Sequence, residues 1–364
     1  MPAEQVGELP LPAPLLAETD QTPGLAVKRP GSRAKKSAWS ESLWTFFRVI
    51  WANPLTFIGF LMVVIIAATA LIIVAVPVLS YLILGHVVSV LPYPPNATSS
   101  ADSGQPPSLN HLFGTNQFGQ DMFSQVMAAL PLDLTFGVTI SASALAIGAT
   151  LGLVAGYWDK PGTVGGFVSV LILRVTDIFL AFPSLILALA IAATLGRSTF
   201  SAFIAITITW WPYYVRLTRG EVLAVKTQPY ITAAKSSGVT DGRILVRHVL
   251  RNILEPLLVY YTMDIGTILI VFSTIAFFGL SVPVQVPEWG NIINNNLDYL
   301  PTLPWTVLFA GAAIFITVLA FSLLGDGLRD VLDPRSRRVM ARSAATVAGT
   351  SGPAGTARPE GSTA

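Results

Sequence analysis

Six stretches of about twenty residues, nearly free of charge, constrain this chain more than any other feature. A helix needs ~20 apolar residues to cross the hydrocarbon core, where no water is present to satisfy its backbone. Residues 55–84, 134–156, 168–195, 199–215, 257–280 and 305–324 reach or approach that length. The second run is rich in Ala, Gly, Ser and Thr. Such small residues let helices approach closely in lipid, so this span is predicted to pack centrally. The third carries Arg174 and Asp177 near its start and Pro183 inside it. The fourth is short and ends in Trp210, Trp211, Tyr213 and Tyr214, which read as an interfacial aromatic cluster. The predicted fold is all-α and polytopic, with about six transmembrane helices.

Composition supports the same class. Charged residues make up 12% of the chain, against about 25% in soluble domains. A net charge of +2 gives no reason to expect a nucleic-acid partner. There are no cysteines, which removes disulfides, thiolate metal sites and a cysteine nucleophile. His86, His111 and His248 lie far apart, so neither a metal site nor a cofactor of the chain's own is expected. No apolar run opens the chain, and no cleavable signal peptide is expected.

Residues 1–40 and 336–364 lack apolar periodicity and are predicted to be disordered tails. Residues 41–90 form an amphipathic segment and the first span, and 91–130 an external loop. Residues 131–335 form a five-helix core containing a long loop, 216–256.

Basic residues orient these pieces. The alternate segments 1–54, 157–167, 216–256 and 325–364 hold 20 Lys and Arg, while 85–133, 196–198 and 281–304 hold one. The positive-inside rule places the first set, and both termini, in the cytoplasm. The loop at 85–133 is then external, with residues 92–108 expected to be flexible. Asn96-Ala97-Thr98 is a glycosylation sequon on that face.

The cytoplasmic segment between the fourth and fifth spans exceeds a minimal turn. Pro229 suits a first helical turn, capped by Thr227 or Gln228. Tyr230 to Ser237 can form two turns, and Gly238 can take the left-handed conformation that ends a helix. A second amphipathic piece follows over 241–250. The short helix presents Ala233 and Ala234, side chains small enough for a partner protein to come close. An ordinary amphipathic surface helix fits the same residues.

This stretch resembles the coupling loop of binding-protein-dependent ABC importer permeases. That motif runs Glu-Ala-Ala, three residues, Gly, then Leu-Pro about twelve residues on. Here it reads Thr232-Ala233-Ala234, Gly238 and Val249-Leu250-Arg251, so Thr232 replaces the glutamate and Arg251 the proline. Tyr230, Asp241, Arg243, Ile244, Arg247, His248 and Asn252 follow the pattern.

Four further segments resemble the second permease subunit of dipeptide and oligopeptide importers. They are 111–124, where Asn116 and Gln120 replace the usual Asp and Arg, and Arg174-Val-Thr-Asp177 with Ala181-Phe182-Pro183. The others are Pro287-Glu288-Trp289-Gly290-Asn291 and 323–335, which contains Asp326, Arg329, Asp330 and Asp333.

The resemblance implies a MetI-like permease fold paired with a second, similar permease, with the substrate path between them. It further implies two ATP-binding subunits or domains docked on the coupling helices, and an external substrate-binding protein. ATP and Mg would reside on those partners, and this chain would not be an enzyme. The location implied is the cell membrane. The cargo would be di- or oligopeptides, with oligosaccharides or nickel as the alternative. No Gly-x-x-x-x-Gly-Lys-Ser/Thr loop occurs, so the energy would come from a partner.

Several residues keep two readings. Arg174 and Asp177 share a helix face and could form a structural pair or line the path. Asp264 sits in the fifth span without a sequence-local partner and could face the pathway or be neutralised by another helix. Asp326, Arg329, Asp330 and Asp333 could pair with Arg243 and Arg247 or form a solvated helix end. Glu288 and Trp289 could meet the binding protein or pack against loops. A membrane enzyme lacks a nucleophile–base pair here. An ion-coupled transporter would carry more midplane charge, with Asp264 the one hint of it.

Overall fold

Local sequence starts each long helix. Asn53 accepts from the Leu55 N–H at 3.0 Å, with Pro54 at the first helical position, and α1 runs Pro54–Leu84. Asp121 accepts from the Ser124 N–H at 2.8 Å and opens α2, Met122–Tyr157. Thr163 caps α3, Val164–Leu180, and Ser198 caps α5, Thr199–Lys226. Between them lies α4, Ser184–Leu195. A short surface helix, α6, spans Pro229–Ser236. The next helix, α7, runs Asp241–Phe277 as one rod with a π-helical stretch at Leu245–Leu250. A short α8, Trp289–Asn296, precedes α9, Trp305–Leu332. The computed structural model describes residues 53–332 and contains no β-strand among them. The predicted tails lie outside the described residues, as do Asp333 and most of the amphipathic segment before the first span.

Four helices (α1, α2, α7 and α9) are long and apolar enough to cross a membrane, and α3 with α4 makes a fifth if counted as one span. The fold is the predicted all-α, polytopic one, but two runs differ from their reading. Residues 168–195 are not one straight helix: α3 and α4 meet at 87°. Pro183 lacks an N–H and disfavours helical geometry at Phe182, so the chain turns there. The run at 199–215 does not end at its aromatic cluster. Its helix continues to Lys226, with Trp210, Trp211 and Tyr214 buried mid-helix. Arg216 and Arg219 on this extension pair with Asp177 and Asp159, each at 2.7 Å.

Small residues set the packing, as the composition of the second run predicted. α2 and α5 form the most extensive helix pair. Gly148, Gly152 and Gly156 follow one face of α2 at intervals of four. A Cβ on Gly152 would lie 2.6 Å from Cβ of Thr218, and one on Gly156 2.8 Å from Cβ of Val222. Only hydrogen fits at these points. In lipid, where hydrocarbon gives helices no reason to associate, this proximity supplies the van der Waals contact. Ala144 of α2 joins Ala188 and Ala192 of α4, Ile206 of α5, and Ile268 and Phe272 of α7 in one core. α1 packs against α9 at the periphery and leaves Leu71, Ile72, Leu82 and Ile83 exposed, a face suited to lipid.

The segment at 92–108, expected to be flexible, is tied down. Ser99, Gly104 and Thr115 donate backbone bonds to Phe118, Asn116 and Gln105 at 3.1, 2.9 and 2.9 Å.

Inserting a side chain into the α2–α5 seam is expected to cost about 1–3 kcal/mol or more. Gly152→Leu should lower the detergent-extracted thermal midpoint by several degrees. The same change at the open Gly220, where a Cβ would meet nothing within 4 Å, should not.

Candidate translocation and coupling site

Halfway along α2, α5 and α7, three helices converge on Asp264. The Trp210 indole N–H donates to Asp264 Oδ1 at 2.8 Å, and the Tyr214 hydroxyl to Oδ2 at 2.8 Å. Ser141 Oγ donates to Oδ2 at 3.3 Å and lies 3.2 Å from the Tyr214 hydroxyl. Trp210 and Tyr214 are four apart, so both reach the same carboxylate from one face of α5. The cluster borders a cavity of about 440 Å³ lined by Trp210, Tyr213, Tyr214, Leu217, Tyr260 and Asp264. Asp264 is thus hydrogen-bonded by neutral donors from two other helices and borders an open space. Nothing in the sequence alone named Ser141 or Tyr214 as its partners, although a charge within a span demands donors from its neighbours.

At one end of the bundle the loop residues gather around α6. Gln228 precedes the helix, with Pro229 at the first position and no side-chain cap bond. Gly238 has φ of 75°, the left-handed geometry expected of it. Tyr230, Thr232, Ala233, Asp241, Arg243 and Arg247 are exposed, while Ala234 and His248 are half-buried. Ile231 turns inward onto Val222, Ile244, Val249, Ile253 and Leu257. The helix is also pinned to the end of α2. Its Lys235 sits 5.2 Å above the Tyr157 ring, and Tyr157 also donates to Asp241, at the start of α7, at 2.6 Å. Lys226 Nζ donates to the Gly156 carbonyl at 2.9 Å, occupying an otherwise orphaned helix-end acceptor. Arg251 has the backbone N–H that a proline would lack, and the helix continues through it.

The remaining sequence sites are dispersed. Asp177 pairs with Arg216 of α5 rather than with Arg174. Asp326, Arg329 and Asp330 lie on the last turns of α9, and no ion pair joins Arg243 or Arg247 to Asp326 among the described residues. The glycines flanking Asp326 have a packing role: a Cβ on Gly325 would collide with Met263 of α7, and one on Gly327 with Thr56 of α1. Asn96 is exposed and donates to the Gln285 carbonyl at 2.9 Å.

Two segments at the opposite end of the bundle are built for packing. Asn116 donates to Gln120 Oε1 at 2.7 Å, so a neutral amide pair stands where the resembled motif has Asp and Arg. His111 lies 2.9 Å from Asp121, the cap of α2. Glu288 and Trp289 are buried. The Trp289 indole donates to the Val126 carbonyl at 3.0 Å, and its backbone N–H donates to Asp133 at 3.2 Å. Glu288 caps α8 by accepting from the Asn291 N–H at 2.7 Å. Burial pushes its carboxyl up to about 7, against the pull of the Gly290 and Asn291 N–H groups.

A helical bundle with several helices long and apolar enough to cross a membrane defines a multi-pass membrane protein, here with a mid-helix cavity and an exposed short helix at one end. The family model described as "Binding-protein-dependent transport system inner membrane component" matches residues 148–338, and the chain belongs to that family. It is a permease subunit of an ABC importer. The dipeptide transport system permease protein DppC of Alkalihalophilus pseudofirmus is 41% identical over 240 residues, 66% of this chain and 77% of the relative. The probable D,D-dipeptide transport system permease protein DdpC of Escherichia coli is 40% identical over 242 residues, covering 66% and 79%. The glutathione transport system permease protein GsiD of Pectobacterium atrosepticum is 37% identical over 229 residues, covering 63% and 74%. Among solved structures, the inward-facing MetNI methionine ABC transporter aligns with 58% of this chain and 95% of its own, at 18% identity and a TM-score of 0.47.

The Glu288 site has a pH signature. Its carboxyl binds a proton more tightly in the folded chain than in the unfolded one, where its ordinary value is 4.5. Its contribution is therefore complete below about 4.5 and declines as pH rises through about 7. The thermal midpoint is expected to fall by on the order of 5 °C across this interval, and Glu288→Gln should flatten the decline.

Proposed function

We propose that this chain forms half of the translocation path of an ATP-driven importer of di- and oligopeptides. The other half is a second, homologous permease. Two ATP-binding subunits or domains, carrying ATP and Mg, supply the energy, and an external binding protein delivers the peptide. The chain lies in the cell membrane with both termini in the cytoplasm, as the distribution of Lys and Arg supports. The peptide cargo is suggested by the names of the relatives.

The observation that carries the coupling role is the attachment of α6. Its outward face is small or polar at Thr232 and Ala233, while Ile231 packs its inner face onto α5 and α7 and Lys235 lies over the Tyr157 ring of α2. A partner pressing on this helix would move the helices that border the cavity. Such motion is a rigid-body switch biased by nucleotide. Thr232, in place of the usual glutamate, keeps a hydroxyl at the contact without its charge.

Ala233→Trp tests this reading without burdening the core, because Ala233 is exposed. Expected are normal membrane insertion, loss of co-purifying ATPase, and import of labelled alanyl-alanine reduced at least tenfold. Thr232→Glu should retain import. Wild-type import and ATPase recovery by Ala233→Trp would show that partners do not dock on α6.

A further inference from the structure

The cavity at Asp264 is a carboxylate ringed by aromatic side chains. Its lining consists of Trp210, Tyr213, Tyr214, Tyr260, Leu217 and Asp264. Among the described residues no Lys, Arg or His forms an ion pair with Asp264. Its two oxygens are used unequally. Oδ2 accepts from Tyr214 and Ser141, whereas Oδ1 accepts only from Trp210 among the described residues. A carboxylate oxygen can take two bonds, so Oδ1 retains an acceptor site.

A carboxylate within a span and without a counter-charge is costly, and such groups commonly mark the route of a substrate or ion. Aromatic rings add a second attraction of the same sign, since a cation within ~6 Å of a Tyr or Trp face is stabilised by the ring quadrupole. Tyr213 and Tyr260 are both partly exposed. The volume, about 440 Å³, lies in the range of small-molecule sites, ~300–1,000 Å³. Charge, rings and space all favour a small organic cation.

We propose that Asp264, with Trp210, Tyr213 and Tyr260 around it, is a transit site for a primary ammonium group, the free amino terminus of a short peptide. The assignment of that ammonium to a peptide rests on the peptide-importer reading above. The carboxylate receives the ammonium at Oδ1 while Tyr214 and Ser141 hold Oδ2 in place. Contact is transient because the site is open and offers a single ionic partner. The role is one of binding and positioning, with no covalent step.

The test uses the assembled transporter in nanodiscs and saturation-transfer NMR, which reads weak contacts. The probes are alanyl-alanine amide, which carries an ammonium and no carboxylate, and the neutral N-acetyl-alanine amide. Expected is contact with the cationic probe in wild type, weakened at least tenfold in Asp264→Asn, and no comparable contact with the neutral probe. Tyr260→Leu is a second variant: its hydroxyl makes no hydrogen bond among the described residues, so it removes a wall and leaves the carboxylate network intact. It should weaken the cationic probe about threefold to tenfold, in line with a cation–π contribution, even if Asp264→Asn does not assemble. Equal contact by both probes in wild type, no contact by either, or unchanged contact in the variants would overturn the site. Failure of the wild-type complex to import labelled alanyl-alanine while the cationic probe still binds would instead overturn the peptide reading and leave the ammonium site standing.

Discussion

The close approach of α2 and α5 governs everything else in this bundle. Gly148, Gly152 and Gly156 leave no side chain between the two helices, so Tyr214, Thr218 and Val222 of α5 rest against α2 itself. That seam sets the distance at which Ser141 of α2 and Trp210 and Tyr214 of α5 can all reach Asp264 of α7. At its end, the same seam brings Lys226 to the Gly156 carbonyl and Tyr157 to Asp241. The cavity and the short surface helix are thus two ends of one packed unit.

This arrangement gives a physical route between the surface and the cavity. Ile231 locks α6 onto residues of α5 and α7, and α7 then runs without a break from Asp241 to Phe277, past Asp264. Packed helices do not deform continuously, so on the proposed function a displacement of α6 would be passed on rather than absorbed. The opposite end is held together by different means. Trp289 and Glu288 tie α8 to α2, and Asn116 and Gln120 hold the preceding loop with neutral amides in place of an ion pair.

Much of this was legible in the sequence, and the exceptions have physical reasons. The apolar runs located the long helices because burial of backbone in lipid leaves few alternatives to a helix. Pro229 and Gly238 marked both ends of α6 because their effects are local. The turn at 181–183 was hidden because hydropathy carries no direction and membrane helices often tolerate proline. Trp210 to Tyr214 read as an interface because aromatic belts share that composition. Trp210 and Tyr214 instead turn inward to Asp264, fifty residues on from Tyr214. Contacts of this range have no local signature. Glu288 and Trp289 could have met a binding protein or packed against loops; both are buried, with Asp133 and the Val126 carbonyl as partners of Trp289.

Rigid transmission from α6 to mid-bundle can be measured directly. The chain has no cysteine, so nitroxides at introduced Cys residues replacing Ala142 and Ser236 would report one intrachain distance by pulsed electron spin resonance. The assembled transporter would be compared without nucleotide and with ATP trapped by a hydrolysis-deficient ATPase. The expected result is an intrachain distance that stays constant while the distance from Ser236 to the partner permease changes. An intrachain distance that shifts as much as the one between the two permeases would contradict transmission through a rigid α2–α5–α7 unit.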